Sequence, residues 1–233
     1  MDKKYRRLLD YIYPPVCPIC ALAHPGGICP DCRKKISFID KDYCLKCGRP
    51  LEDSRSEYCK SCRGSRRYFA ECRALLEYKG DVKASIYRMK SANRREYAYI
   101  YGEEMAVAFA GWIRHRKIDL IVPVPLYRKR EIERGYNQAA LMARGLGEEL
   151  DIAVDENLII RSRDTGVQKA LDAKARRQNV QGAFSLSGRV VPGSRILLVD
   201  DVFTTGSTLD SAAKCISEGT GSVVYAAAAA AVG

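Results

Sequence analysis

A run of fifteen residues, ILLVDDVFTTGSTLD from Ile196 to Asp210, constrains the fold of this chain more than any other part of its sequence. Its apolar start predicts a buried strand over Arg195–Val199, which is followed directly by Asp200 and Asp201. A helix is predicted from Ser207 to Glu218. A buried strand, a polar loop and a helix in this order are typical of a parallel α/β sheet, which binds ligands at the carboxyl ends of its strands.

The loop between this strand and this helix is suited to holding one phosphate group. It offers up to five backbone N–H groups and four hydroxyls, and its glycine lets the backbone wrap closely around a compact dianion. No lysine follows the glycine as in a Walker loop, and the loop lacks the G-x-G-x-x-G pattern of dinucleotide sites. The acidic pair would repel a phosphate, so we expect it to face ribose hydroxyls and a Mg²⁺ ion that bridges them to a diphosphate. The predicted phosphate ligands are Thr204, Thr205, Gly206, Ser207 and Thr208.

Alternating apolar strands and amphipathic helices predict that this sheet is parallel and covered by helices on both faces. Ala226–Ala231 consists of good helix formers, but the order of the elements predicts a strand there. The other predicted strands are Cys72–Tyr78, Ile118–Leu126, Leu158–Ile160, a short one through Phe184 and a last one beginning at Val223; the helices are Asp81–Met89 with an aspartate cap, Arg94–Arg116 and Tyr136–Leu150.

Eight of the ten cysteines form four C-x-x-C pairs within the first 62 residues. Each pair presents two sulfurs to one tetrahedral ion, and two pairs close a four-sulfur site, so we predict two structural Zn²⁺ sites. Disulfides, redox-active pairs and an iron–sulfur cluster are the alternatives, as is an interleaved pairing, and His24 is a possible substitute ligand. The predicted ligand sets are Cys17, Cys20, Cys29 and Cys32, then Cys44, Cys47, Cys59 and Cys62.

The change in composition after the cysteine pairs predicts two domains. Residues 1–68 hold a short amphipathic helix, Lys3–Tyr13, and a double zinc-ribbon domain, and residues 69–233 hold the α/β domain. The polar, basic segment Arg63–Tyr68 is interpreted as the linker between them.

The chain carries a formal charge of +11. Eight cysteine thiolates around two divalent ions would lower this charge by four, so the protein stays basic. A basic surface attracts polyanions such as nucleic acid, and it also arises from phosphate pockets or from a solvated Lys/Arg face. No apolar stretch is long enough to span a bilayer, and the N-terminus lacks the apolar core of a signal peptide, so we expect a cytoplasmic protein without membrane insertion.

A basic segment, YRKREIERGYNQ, follows the predicted strand that ends in VPVPL. We interpret it as a grip for a diphosphate, with a solvated basic loop as the alternative reading. Its candidate ligands are Arg128, Lys129, Arg130, Arg134, Asn137 and Gln138. The polar stretch Arg161–Gln181 is interpreted as a loop that closes over the site, with Thr165, Gln168, Arg176, Arg177 and Asn179.

The strand, the Asp-Asp pair, the Thr-Thr-Gly-Ser-Thr loop and the helix together resemble the signature of type I phosphoribosyltransferases for phosphoribosyl diphosphate (PRPP). That resemblance implies that Asp200 and Asp201 hold the ribose hydroxyls and that Thr204–Thr208 holds the 5-phosphate. The cysteine pairs, VPVPL…RGYNQ, the run Arg161, Thr165, Gln168, Arg177, Asn179 and Phe184, and the PRPP signature resemble the ComF family in this order. The resemblance implies that Lys90 reaches the diphosphate, and a role in uptake of single-stranded DNA alongside a competence helicase.

Two functions therefore compete. In one, the protein binds PRPP and handles single-stranded DNA, with Arg66 and Arg67 contacting the strand and Tyr43, Tyr58, Tyr68 and Phe69 as candidate stacking residues. In the other, it transfers the ribose phosphate of PRPP to an amine or nucleobase with Asp200 and Asp201 as catalytic residues. The sequence shows no acceptor site: only one strand follows the signature helix, and His24 and His115 are the only histidines.

Overall fold

The computed structural model describes residues 15–162 and 182–233. Within these ranges the strands are β1 (Cys72–Glu77), β2 (Leu120–Pro123), β3 (Ile159–Arg161), β4 (Phe184–Leu186), β5 (Arg195–Phe203) and β6 (Val223–Ala231). The helices are α1 (Pro30–Lys35), α2 (Gly80–Ser91), α3 (Arg95–Arg116), α4 (Arg128–Arg134), α5 (Gln138–Leu150) and α6 (Ser207–Thr220). The predicted helix Lys3–Tyr13 and the predicted closing residues Thr165, Gln168, Arg176, Arg177 and Asn179 lie outside the described residues.

Four strands form one parallel sheet in the order β1-β6-β5-β2. Alternate residues of β5 point to opposite faces, so that Leu197 and Val199 join a core with α2, α3 and α5, whereas Ile196 and Leu198 join a core with α6. The predicted class, a parallel sheet covered on both faces, is confirmed. The strands β3 and β4 differ from the expectation, because they pair antiparallel with each other and form a separate two-stranded sheet.

The alanine run of β6 is strand, as the element order predicts. It lies in the interior of the sheet between β1 and β5, and every residue from Ala226 to Ala231 is fully buried. Small side chains on both faces allow α3 and α6 to approach the sheet closely. Tertiary packing thus overrides the helix propensity of alanine in this segment.

Three predicted element boundaries are wrong in ways that affect the site. Strand β5 continues through the acidic pair to Phe203, so Asp200 and Asp201 lie within the strand and do not follow it. Strand β2 is shorter than the predicted strand Ile118–Leu126. The residues after its carboxyl end belong to the loop that leads to α4. Asp81 does not cap α2; the cap position is Lys79, and Asp81 lies in the first turn, where its charge favours the helix dipole.

The cysteine-rich segment packs directly on the sheet. Phe38 pairs antiparallel with Leu76 of β1, and the Glu77 amide donates a 3.0 Å hydrogen bond to the Ser37 carbonyl, so this segment covers the free edge of β1. Two residues of the predicted linker Arg63–Tyr68 contact α6: the Tyr68 backbone N–H donates to Asp210, and the Arg67 guanidinium lies 3.8 Å from the same carboxylate. Among the described residues, no helix is both long and apolar enough to cross a membrane.

Candidate functional site

The predicted phosphate loop lies between β5 and α6. Gly206 is the N-cap of α6 and has φ of 75°, a left-handed conformation that glycine adopts without strain. A Cβ atom at this position would lie 2.4 Å from the Phe203 ring, so the loop needs glycine for space as well as for its conformation. The Thr205 and Ser207 hydroxyls share a 2.7 Å hydrogen bond across the turn. The Ser207 N–H donates to the Thr205 hydroxyl at 3.3 Å, and the positive end of the α6 dipole lies at this loop.

Asp201 is the centre of a polar cluster at the carboxyl end of β5. The Lys90 ammonium donates to its Oδ1 at 2.8 Å, and the Gln138 amide donates to its Oδ2 at 2.5 Å. The Arg134 guanidinium in turn donates to the Gln138 side-chain oxygen. Three predicted diphosphate ligands from two different parts of the chain are thus connected to the predicted ribose-binding carboxylate, which is itself buried.

Asp200 has a different environment from its neighbour. Its Oδ1 accepts a 2.8 Å hydrogen bond from the Asp201 backbone N–H. Burial, and after it the Asp201 carboxylate, raises the pKa of Asp200 from 3.8 to about 7, although Lys90 and Arg161 oppose the shift. This carboxyl group therefore exchanges a proton close to neutral pH.

The segment before α5 is placed mainly by structural contacts. Asn137 caps α5 by accepting from the Ala139 amide at 3.0 Å, and its own amide donates to the Val124 carbonyl at 3.1 Å. The Tyr136 hydroxyl donates to the Met89 carbonyl, one residue before Lys90. Arg128 is exposed in the first turn of α4 and has no polar partner among the described residues, so the structure does not bring it into the Asp201 cluster.

Arg67 supports the phosphate loop through a contact that was not predicted from the sequence. The Arg67 guanidinium donates to the Thr205 carbonyl at 3.0 Å, and it lies 3.8 Å from the Asp210 carboxylate. Its side chain is only 4% exposed, which also makes it unsuited to the DNA contact predicted for it. The signal in the sequence was Asp210, an acidic residue in the first turn of the helix after the loop, which indicates a nearby basic partner.

The eight paired cysteines form two groups, as the sequential prediction has it. We name the segment from Cys17 to Cys32 the first ribbon and the segment from Cys44 to Cys62 the second ribbon. All Sγ atoms within each group lie within 4.8 Å of one another. The Cys20–Cys29 and Cys47–Cys59 Sγ atoms are 3.9 and 3.7 Å apart, and a tetrahedral Zn²⁺ with bonds of about 2.3 Å needs roughly 3.8 Å. The two groups therefore fit two structural zinc ions, and His24 belongs to neither.

Comparison with known proteins agrees with this architecture. The family model "Double zinc ribbon domain" matches residues 8–63. Competence protein F of Haemophilus influenzae is 35% identical over 196 residues, which cover 82% of this chain and 84% of that protein. Competence protein ComFC of Bacillus subtilis is 30% identical over 197 residues, covering 82% and 78%. The chain belongs to the ComF family.

Another relative of this ComF chain is DNA utilization protein YhgH of Escherichia coli K12. It is 30% identical over 210 residues, which cover 87% of this chain and 91% of that protein. Among solved structures, adenine phosphoribosyltransferase from Leishmania donovani is similar with a TM-score of 0.33 and 19% identity, covering 54% of this chain and 52% of that chain.

The aromatic residues predicted as stacking candidates differ in their exposure in the ComF structure. Phe69 is fully buried, and its ring meets Phe203 edge-on at 6.4 Å. Tyr43 is covered by the Arg73 guanidinium at 4.0 Å. Tyr58 and Tyr68 are 41% and 46% exposed, and the Lys214 ammonium lies 5.2 Å from the centre of the Tyr68 ring.

Proposed function

We propose that this ComF protein binds PRPP together with Mg²⁺ at the carboxyl end of β5. The observation that carries the proposal is the convergence of Lys90 and Gln138 on Asp201, beside a loop that is shaped for a single phosphate. These groups come from α2, α5 and β5, yet they meet where parallel sheets bind ligands. The combination of anionic, cationic and phosphate-cradling groups matches the three chemical parts of PRPP.

Each part of PRPP has a candidate partner in this site. Asp200 and Asp201 accept from the ribose hydroxyls, and the 5-phosphate lies against the N–H groups and hydroxyls of Thr204–Thr208. Lys90 and Gln138, which donate to Asp201, are the candidate partners of the diphosphate together with Arg134, which donates to Gln138. A bound Mg²⁺ would neutralise diphosphate charge, and carboxylate and ligand oxygens are its preferred ligands.

Calorimetry with PRPP in the presence and absence of Mg²⁺ tests this proposal. We expect wild type to bind in a Mg²⁺-dependent manner and Asp201→Asn to lose at least about tenfold in affinity, since it removes a charge-assisted acceptor. Asp151→Asn is the matched control, because Asp151 lies at the far end of α5 in a left-handed conformation that asparagine tolerates. Absence of PRPP binding by wild type with Mg²⁺ would refute the proposal.

We further propose that the protein handles single-stranded DNA in natural competence or DNA utilization. The names of the relatives and the net charge of +11 support this role. The exposed cations Lys60 and Arg66 each lie two residues along the chain from an exposed tyrosine, Tyr58 and Tyr68 respectively. Cations and accessible aromatic rings are the usual partners of single strands.

Fluorescence anisotropy with a labelled oligonucleotide at increasing NaCl concentration tests this role. We expect affinity to fall steeply with salt, and the double variant Lys60→Glu with Arg66→Glu to flatten the slope by about two phosphate contacts. The control reverses the exposed Lys83 and Arg189, which carry the same charge elsewhere on the surface. No binding at 20–50 mM salt, roughly the range where such contacts are strongest, would contradict the role.

Phosphoribosyl transfer is a second candidate function, which the near-neutral pKa of Asp200 favours. In this reaction an amine or nucleobase attacks C1 of the ribose and diphosphate leaves. Diphosphate release from PRPP is measured with a panel of bases and amines, using wild type and Asp200→Asn. Release that needs both an acceptor and Asp200 would establish the transferase, whereas PRPP binding without release would leave binding as the function.

A further inference from the structure

Arg67 connects the second ribbon to the phosphate loop. It follows the last cysteine of that ribbon, Cys62, by five residues, and its guanidinium donates to the Thr205 carbonyl at 3.0 Å. In a trans peptide the C=O and the next N–H point in opposite directions. Fixing the Thr205 carbonyl toward Arg67 therefore turns the Gly206 N–H to the other side of the same peptide plane.

Asp210 holds Arg67 and its neighbour in place. Its carboxylate accepts a 2.8 Å hydrogen bond from the Tyr68 backbone N–H through Oδ1, while Oδ2 lies 3.8 Å from the Arg67 guanidinium. Asp210 is in the first turn of α6, where a carboxylate also complements the helix dipole. The segment after the second ribbon is thus bonded to both the loop and the helix that follows it.

A second contact between the ribbon and the loop runs through Phe203. This ring fills the space that a side chain at Gly206 would need, so it forms the floor of the loop. Arg49, two residues after the zinc ligand Cys47, lies 5.4 Å from the ring centre, and Phe69 contacts the ring edge-on. Arg49 inside the second ribbon and Phe69 after it therefore fix the floor, while Arg67 fixes the turn.

We propose that Arg67 is a positioning residue for the phosphate site: with Asp210 it orients the Thr205–Gly206 peptide so that the N–H faces the anion and the carbonyl does not. An anion cradle requires N–H groups inward and carbonyls outward, and a buried carbonyl that faces away needs its own donor. Arg67 is that donor. This inference rests on the proposed phosphate site and adds that the second ribbon contributes to its affinity.

Calorimetry with ribose 5-phosphate tests this role, because that probe needs the phosphate loop but no diphosphate grip. We expect Arg67→Met to weaken binding at least about tenfold and Arg67→Lys to restore part of the loss, since a lysine reaches the carbonyl with a single donor. Arg189→Met is the matched control: it removes the same charge from an exposed position that has no polar partner among the described residues, and less than about a twofold change is expected.

Two further measurements separate positioning from folding. All variants should retain two zinc ions by atomic emission, and Asp210→Asn combined with Arg67→Met should lose less than the sum of the single losses. Hydrogen exchange of the peptide that contains Thr205–Thr208 should accelerate in Arg67→Met without ligand.

Equal affinities of Arg67→Met and Arg189→Met for ribose 5-phosphate, with wild type binding well, would overturn the positioning role and leave the phosphate site intact. Failure of wild type to bind either ribose 5-phosphate or PRPP would overturn the site and this role with it.

Discussion

At the residue scale, the adjacent carboxylates Asp200 and Asp201 differ because they lie within a strand. Alternation places Asp201 on the same face as Leu197 and Val199, under α2 and α5, which supply Lys90 and Gln138. Asp200 points to the opposite face with Ile196 and Leu198, where its Oδ1 accepts from the Asp201 backbone N–H and desolvation raises its pKa. Asp201 therefore has two side-chain donors, whereas burial raises the pKa of its neighbour Asp200 to about 7.

The raised pKa of Asp200 predicts a specific loss of stability with increasing pH. Between the ordinary value of 3.8 and about 7 the folded protein binds more protons at this site than the unfolded chain does, so the free energy of unfolding falls as pH rises through this window. Asp200→Asn removes this titration. We therefore expect the free energy of unfolding of Asp200→Asn, relative to that of wild type, to be higher at pH 8 than at pH 5. Urea unfolding of both proteins at the two pH values measures this difference, in which contributions of the zinc ligands cancel. If the difference in free energy of unfolding between the two proteins were the same at pH 5 and pH 8, the pKa of Asp200 would not be raised.

At the element scale, the sheet was predictable where apolar runs are bounded by strong signals. The strand–loop–helix run from Ile196 predicted the start of β5 and the start of α6 correctly, because strand, glycine turn and helix each leave a distinct pattern. The pairing of β3 with β4 was not predictable, since two three-residue strands carry too little pattern to show which neighbour they choose. The hydrogen bond from Arg67 to Thr205 was not predictable, because the two residues are 138 positions apart and the composition around Arg67 is typical of a linker.

Strand β6 tests whether packing or propensity governs an element. Ala227 is fully buried and pairs with Val199 and Arg73, on the face that packs against α3. Ala227→Val increases intrinsic β propensity, yet we expect it to lower the free energy of unfolding by about 1–3 kcal/mol, because two added methyl-sized groups overpack this interface. Urea unfolding measures the change. Val223→Ala, at the 44% exposed start of the same strand, is the control and should change stability by only about 0.5 kcal/mol. A stabilised Ala227→Val would mean that propensity dominates.

At the scale of the whole molecule, the two ribbons are parts of the two cores of the sheet. Cys17, Ile19 and Ile28 of the first ribbon belong to the core under α2 and α3. Cys44, Cys47 and Cys62 of the second ribbon belong to the core under α6. Our proposed domains, residues 1–68 and 69–233, therefore share their buried surfaces, and neither buries its apolar residues alone.

Shared cores predict that loss of one zinc site destabilises the entire chain. We expect Cys59→Ser to lose the second zinc, to cost at least about 3 kcal/mol and to lower Tm by roughly 6–12 °C, within a single calorimetric transition. Cys215→Ser is the matched control, because Cys215 is half-buried like Cys59 but belongs to neither four-sulfur group, and its Tm should stay near that of wild type. Independent domains would instead give two transitions in Cys59→Ser, the larger one at the wild-type Tm. A single, lowered transition means that zinc occupancy at the second ribbon sets the stability of the sheet that carries Asp200 and Asp201.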